Sequence, residues 1–247
     1  NIHQRSSNRS EQYWERKGIP EELSTIKTVF QWNKKPSSFK ERWVDYIEKE
    51  FDKREEGLFF MNNGVPTYIT GAHYMYLNWS SIDVGYPDFR ITDLEVFYMW
   101  QYAVDDPQCM GLAEAQKRRS GKPNRSGVIC YDYTSSHREA HAGIQSKSGT
   151  DAKDNVYWKG VINPFKHLPH FFIPKFDKEK GKFPKSGLSF TETNVRGNAS
   201  IEDYSEEIPE LNSTITWRPS DNVAYDGSKL HRYIGDEVGK SLPPIDV

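Results

Sequence analysis

The stretch Lys-Arg-Arg-Ser-Gly-Lys-Pro at residues 117–123 decides the fold that we expect. A strand candidate at Cys109–Ala115 precedes it, and a Gly-Lys pair after a strand is typical of a phosphate-binding loop. The full pattern is G-x-x-x-x-G-K-[ST], and this chain departs from it at Gln116 and Pro123. Taken alone, the stretch therefore fits a basic surface turn as well as a phosphate loop.

A second informative stretch, Leu-His-Arg-Tyr-Ile-Gly-Asp-Glu, occupies residues 230–237. An apolar-rich strand ending in Asp-Glu is typical of P-loop NTPases, where the Asp holds magnesium and the Glu polarises the attacking water. Asp-Glu is also a common pair on protein surfaces. Taken alone, this stretch is better interpreted as such a surface pair than as a catalytic strand. The order of the two stretches favours the functional reading, because a P-loop core places its nucleotide beyond the carboxyl ends of neighbouring parallel strands.

Hydrophobic periodicity predicts alternating strands and helices across the chain. Such alternation indicates an α/β fold, specifically a parallel P-loop NTPase sheet flanked by helices, with an N-terminal helical and hairpin subdomain. The elements that carry this prediction are a helix over 37–51, a hairpin around Asn63-Gly64, a helix opened by a capping box at Thr92 and Glu95, strands at 109–115, 141–146, 214–217 and 230–234, and a helix from Thr150 to Phe165.

The same pass predicts three regions along the chain. We expect a loose N-terminal arm at 1–20, the helical and hairpin subdomain at 21–106, and the ATPase core at 107–247. Within the core, residues 176–212 are poor in apolar side chains and predict an irregular insertion.

Five groups of residues, spread over 58–240, together resemble the ATPase domain of the large terminase subunit of tailed bacteriophages, of the crAss-like phage type. The groups are 68–74, 117–122, 143–147 with 151–153, 168–172, and 224–227 with 235–240. The resemblance implies an ATP hydrolase that couples hydrolysis to the packaging of double-stranded DNA into a procapsid.

The resemblance also assigns roles to individual residues. Lys122 would hold the β and γ phosphates, and Gly121 would let the backbone approach them closely. Arg118 would act in cis on the transferred phosphoryl group. Asp236 would hold Mg²⁺, and Glu237 would activate water. Two further loop residues are assigned to nucleotide binding, Arg119 and Ser120.

One position departs from the family. Pro123 stands where the family has Ser or Thr, whose hydroxyl ligates magnesium, and two nearby serines, Ser120 and Ser126, lie on the loop and one helical turn further on. The departure favours an alternative, a nucleotide-impaired P-loop domain acting as a DNA-binding or portal-docking module. The family's nuclease domain follows its ATPase, and we expect none here, since only ten residues follow Glu237.

The partners and cofactors implied by the resemblance are ATP, Mg²⁺, double-stranded DNA, the portal protein, the small terminase subunit and further copies in a homo-oligomeric ring. They imply a location in the host cell cytoplasm, transiently at the procapsid portal.

The formal net charge of −2 excludes a protein drawn onto nucleic acid by its overall charge, but it allows a local basic groove. Two cysteines do not form a disulfide framework, no apolar run is long enough for a membrane helix, and the spacing of His137 and His141 gives only a weak indication of a metal site.

Overall fold

The computed structural model describes residues 14–116, 120–176, 183–190, 211–221 and 224–240. The described residues fall into two compact units. The N-terminal unit comprises residues up to Gly121 together with His167–Phe171, and the C-terminal unit comprises Lys122–Lys166 with the described residues from Phe172 onward. Together they make a mixed α/β protein with both parallel and antiparallel strands.

The N-terminal unit is built from helices and one β-hairpin. Its elements in chain order are α1 (Glu21–Ser24), α2 (Val29–Asn33), α3 (Ser37–Glu56), β1 (Leu58–Asn62), β2 (Val65–Ile69), α4 (Gly71–Tyr74) with a π-helical continuation (Met75–Trp79), and α5 (Ile91–Asp105). The hairpin is confirmed, because β1 and β2 pair antiparallel with Leu58 opposite Ile69. Asn63 and Gly64 both have positive φ, 49° and 77°, as a two-residue turn of this kind requires.

Two details of this unit differ from the sequence prediction. Residues 14–17 are not a loose arm, because the Trp14 ring packs edge-on against Phe60 at 5.4 Å and the Arg16 guanidinium lies 3.4 Å from the centre of the Tyr86 ring. The capping box at Thr92 is also wrong. Helix α5 begins at Ile91, and its N-cap is Arg90 instead of Thr92. Arg90 donates two hydrogen bonds, of 2.7 and 2.9 Å, to the carboxylate of Asp93 in the first turn.

The C-terminal unit is a sheet with helices. Its elements are α6 (Lys122–Thr134), β3 (His141–Ser146), a π-helix (Asp151–Ile162) continued by α7 (Asn163–Phe165), β4 (Gly187–Ser189), β5 (Thr214–Pro219), β6 (Arg232–Asp236) and the 3₁₀ turn Val238–Lys240. A further 3₁₀ turn, His170–Phe172, lies at the boundary of the units. The strand order is β4-β5-β3-β6, in which β5, β3 and β6 run parallel and β4 runs antiparallel along the edge.

Strand β4 corrects the expectation of a wholly irregular insertion at 176–212. Leu188 in this strand is fully buried, and so is Phe190 directly after it, so this short apolar segment adds a fourth strand to the sheet of the described residues. The remainder of the predicted insertion falls largely at 177–182 and 191–210, which lie outside the described residues.

Helix α6 and the π-helix pack against each other through glycines. A Cβ atom on Gly127 would lie 2.2 Å from the carbonyl carbon of Gly160, and one on Gly160 would lie 2.3 Å from the Pro123 carbonyl oxygen. The two backbones therefore approach each other too closely for any larger residue, and this approach fixes the first turn of α6. No helix within the described ranges combines the length and the apolar character needed to cross a membrane.

Candidate functional site at the carboxyl edge of the sheet

The candidate site begins at the point where two parallel strands end. Ser146 is the last residue of β3 and Asp236 the last residue of β6, and the register places them opposite each other. The Ser146 hydroxyl donates to Asp236 Oδ2 at 3.4 Å. In open α/β sheets, ligands bind beyond the carboxyl ends of the strands, so this edge is the expected place for a site.

Lys122 reaches the same edge from the first residue of α6. Its Nζ lies 3.2 Å from Asp236 Oδ1, and the two side chains are 27% and 13% exposed. Gly121 directly precedes the helix with φ of 86°, a conformation that favours glycine. Lys122 and Asp236, to which the resemblance assigns the phosphates and Mg²⁺, therefore lie within reach of each other.

Glu237 is held by a different lysine. Its carboxylate lies 2.7 Å from Lys147 Nζ, and both side chains are about one-third exposed, 34% and 36%. Glu237 has φ of 52°, the left-handed region that non-glycine residues occupy at a cost of about 1 kcal/mol. Strained backbone of this kind is found at functional sites more often than elsewhere.

The helix that follows β3 supplies a third carboxylate. Asp151 Oδ2 lies 3.8 Å from Lys147 Nζ and accepts a 2.6 Å hydrogen bond from Ser148, while its Oδ1 accepts from Asn155 at 2.8 Å. Ser148 also accepts from the Asp151 backbone N–H at 3.1 Å. Ser148 therefore caps the start of this helix, two residues before the predicted start at Thr150.

The remaining predicted residues are placed less favourably for a phosphate loop. The predicted strand at Cys109–Ala115 is wrong, because these residues form no strand and are half-buried or exposed. Ser120 belongs to the N-terminal unit, where its carbonyl accepts from Arg90 at 2.8 Å and its hydroxyl donates to Gln116 at 2.5 Å. Arg118 and Arg119 lie outside the described residues, so their assigned roles stay predictions.

The opposite end of the same strands carries histidines. His137 follows α6 while His141 begins β3, so the two share no helix face. The backbone N–H of His141 donates to His231 Nδ1 at 3.1 Å, which leaves Nε2 of His231 as the protonated nitrogen of the neutral ring. Burial, followed by the charge of Lys229, lowers the pKa of His231. The described residues contain no group of three or more His, Cys, Asp or Glu side chains arranged to hold a metal ion.

Ser146, Lys147 and Asp151 lie in segments that carry the family resemblance, but the sequence prediction gave none of them a role in the site. Each follows or ends an apolar strand, and polar residues at such positions gather at one edge of a parallel sheet. That signal was available in the sequence, but it needed the pairing of β3 with β6 to show which strand ends meet.

Comparisons with protein-family models and with curated proteins find no match for this chain.

The arrangement brings together two lysines and three carboxylates at the end of a parallel sheet. The Lys122–Asp236 and Lys147–Glu237 pairs are partly open to solvent, so each lysine can exchange its carboxylate for another anion at modest cost. Such a site can bind an anionic ligand through the lysines and a hard cation through the carboxylate and hydroxyl oxygens.

Proposed function

We propose that this chain is the ATPase domain of a DNA-packaging motor, similar to the large terminase subunit of tailed bacteriophages, with a P-loop NTPase fold. The observation that carries the nucleotide part is the 3.2 Å contact between Lys122, at the start of a helix, and Asp236, at the end of a parallel strand. A phosphate-binding lysine and a metal-binding aspartate must share one ligand, and these two residues lie close enough to do so.

The residues at this edge fit ATP and Mg²⁺. Lys122 and the backbone around Gly121 would hold phosphate oxygens, and Asp236 would hold the ion. Magnesium typically takes one or two protein carboxylates together with substrate phosphates, so a site of this kind needs no cluster of three acidic residues. When bound, Mg²⁺ would neutralise charge on the phosphate oxygens.

The roles of Glu237 and Lys122 differ in the proposed reaction. Glu237 would accept the proton of the attacking water, which requires its carboxylate to be free of Lys147 at that moment. Lys122 would leave Asp236 and bind phosphate oxygens, a contact that exists in the ground state as well as in the transition state.

The packaging part of the proposal rests on the sequence resemblance. Double-stranded DNA, the portal protein, the small terminase subunit and a homo-oligomeric ring on the portal are its proposed partners, in the host cytoplasm. With a formal net charge of −2, DNA contacts would depend on local basic surface, since translocases contact phosphates without reading bases.

Two observations favour the alternative of a nucleotide-impaired DNA-binding or portal-docking module. Pro123 carries no hydroxyl for a metal ion, and residues 109–115 do not form the strand that leads into a phosphate loop. This alternative predicts a folded domain that binds DNA or the portal and has no affinity for ATP.

A pair of variants tests the ATPase proposal. Lys122→Ala should weaken ATP binding by about 30-fold, which corresponds to about 2 kcal/mol for the loss of one charged contact to phosphate. Glu237→Gln should leave ATP affinity nearly unchanged and suppress hydrolysis, because the amide keeps the shape but cannot accept a proton. Nucleotide affinity by calorimetry and hydrolysis in single turnover separate the two effects, and wild-type protein without ATP affinity would favour the docking module.

A further inference from the structure

The position that normally supplies a hydroxyl to the metal is occupied by proline in this chain. Pro123 is the second residue of α6, and its carbonyl oxygen lies against the Gly160 backbone of the π-helix. A Cβ atom on Gly160 would meet that oxygen at 2.3 Å, so this turn cannot rotate without moving the π-helix. Pro123 has no side-chain oxygen, so any hydroxyl ligand must come from another residue.

Four described serines are candidates, and one of them, Ser148, already donates to Asp151 Oδ2 at 2.6 Å. The Ser120 hydroxyl donates to Gln116 within the N-terminal unit. Ser126 lies one turn further into α6 and is 8% exposed. Ser146, by contrast, ends β3 and contacts Asp236 itself, with 3.4 Å between Ser146 Oγ and Asp236 Oδ2.

The Ser146–Asp236 separation is compatible with two adjacent ligands of an octahedral magnesium ion. Ligand oxygens at about 2.1 Å from the ion lie about 3 Å apart when they occupy adjacent positions. The 3.4 Å separation is close to that value, and the hydrogen bond it represents is weak. Because paired parallel strands fix the register of the two residues, the two oxygens are held together before any ion arrives.

We propose that Ser146 supplies, next to Asp236, the hydroxyl oxygen through which this chain holds the magnesium ion of a bound nucleotide. This inference rests on the proposed ATPase function. Ser146 would supply the hydroxyl that is missing at Pro123. Ser146 is 1% exposed and Ser126 is 8% exposed, so the contact with Asp236, and not exposure, distinguishes the two serines.

The first test measures how much Mg²⁺ strengthens binding of the non-hydrolysable analogue AMP-PNP. In the wild type, Mg²⁺ should lower the dissociation constant by about tenfold or more. Ser146→Ala should lose most of this gain while its metal-free affinity stays within about twofold of wild type, because the phosphate contacts of Lys122 remain. Ser126→Ala is the matched control and should keep the full gain.

A cysteine variant gives a positive signal that a folding defect cannot produce. In Ser146→Cys, Mg²⁺ should no longer strengthen AMP-PNP binding, whereas Cd²⁺ should, because a thiolate is a soft ligand. Ser126→Cys and wild type show the contribution of other thiols. The native Cys130 should add little, because burial raises the pKa of its thiol to about 12.

A third variant tests the replacement directly. Pro123→Thr alone should change Mg²⁺-dependent affinity by less than about twofold, but added to Ser146→Ala it should restore most of the lost gain, since it returns a hydroxyl to the helix start. Two results together would overturn the role of Ser146 and leave the ATPase proposal standing. Ser146→Ala would bind AMP-PNP as tightly as wild type and keep the full gain from Mg²⁺, and Cd²⁺ would not strengthen binding by Ser146→Cys. Wild type that binds no AMP-PNP with or without Mg²⁺ would overturn both.

Discussion

Charged side chains serve different purposes in the two units. In the N-terminal unit, Glu50 is 3% exposed and accepts hydrogen bonds from Tyr74 and from Trp79 Nε1, while Lys53 lies 2.5 Å from its other oxygen. Its carboxylate is thus fully engaged by neighbours. In the C-terminal unit, Lys122, Lys147 and their carboxylates are between 13% and 36% exposed at the ends of parallel strands.

The difference indicates where a ligand can bind. A buried carboxylate with three donors cannot leave them without a large loss, whereas a partly exposed ion pair can exchange partners at a smaller cost. Burial, followed by the Glu50 carboxylate, raises the pKa of Tyr74, so the phenol stays protonated and donates to Glu50. We therefore expect the Glu50 network to stabilise the N-terminal unit, and the strand-end pairs remain the candidate ligand site.

The largest effect is expected at Glu50. Glu50→Ala removes the acceptor of Tyr74 and Trp79 and leaves Lys53 without its carboxylate, which should cost about 3 kcal/mol of unfolding free energy. Chemical denaturation followed by tryptophan fluorescence measures the loss. Glu50→Gln keeps the shape and one acceptor oxygen, so it should lose less unfolding free energy than Glu50→Ala. Equal stability of Glu50→Ala and wild type would contradict the proposed difference between the two units.

An intermediate effect is expected where α6 meets the π-helix. Gly160→Ala places a methyl group 2.3 Å from the Pro123 carbonyl oxygen, so the helices must separate at a cost of about 1–3 kcal/mol. Because Lys122 lies one residue before Pro123, ATP affinity should fall as well. Gly149→Ala is the control, since its Cβ atom would meet Trp217 at an ordinary 3.6 Å. An unchanged melting temperature in Gly160→Ala would show that α6 and the π-helix can separate without a loss of stability.

A smaller effect is expected when a strand-end lysine is removed. Lys147→Ala should change the unfolding free energy by less than about 1 kcal/mol, because the pair with Glu237 is partly exposed. Thermal denaturation checks this value beside that of Glu50→Ala. A loss as large as the one at Glu50 would mean that the strand-end pairs are structural too.

The smallest effect is the pH dependence contributed by His170. Burial lowers the pKa of His170 below its ordinary value of 6.5, so the unfolded chain binds this proton more readily than the folded one. Its contribution to stability is therefore complete above pH 6.5 and decreases as the pH falls below that value. Denaturation of wild type and His170→Phe across this range should show a weaker acid dependence in the variant. Identical slopes would contradict the assignment.

Periodicity and turn chemistry were sufficient for much of the fold. The Asn63-Gly64 turn, the helix from Ser37 and the strand at 141–146 follow from local sequence and are present. The prediction of a strand at 109–115 was wrong, because a short apolar run does not by itself specify a partner strand. Strand β4 was missed because only three residues, 187–189, pair with β5 amid a polar region.

Part of the candidate site was also predictable from local sequence. Lys122 and Asp236 belong to motifs that can be read locally, and the structure brings them together. Ser146 and Lys147 reach the site only because β3 pairs with β6, a contact between residues 90 positions apart. Pairing across such a distance is set by tertiary packing, which one sequence read locally does not reveal.

The most direct test of the central claim is an experimental structure of the chain with a non-hydrolysable ATP analogue and Mg²⁺. We expect triphosphate density at the Gly121 and Lys122 amides, with Lys122 Nζ moved from Asp236 to phosphate oxygens and the ion beside Asp236. Under saturating analogue, an unchanged Lys122–Asp236 pair with no nucleotide density at this edge would contradict it.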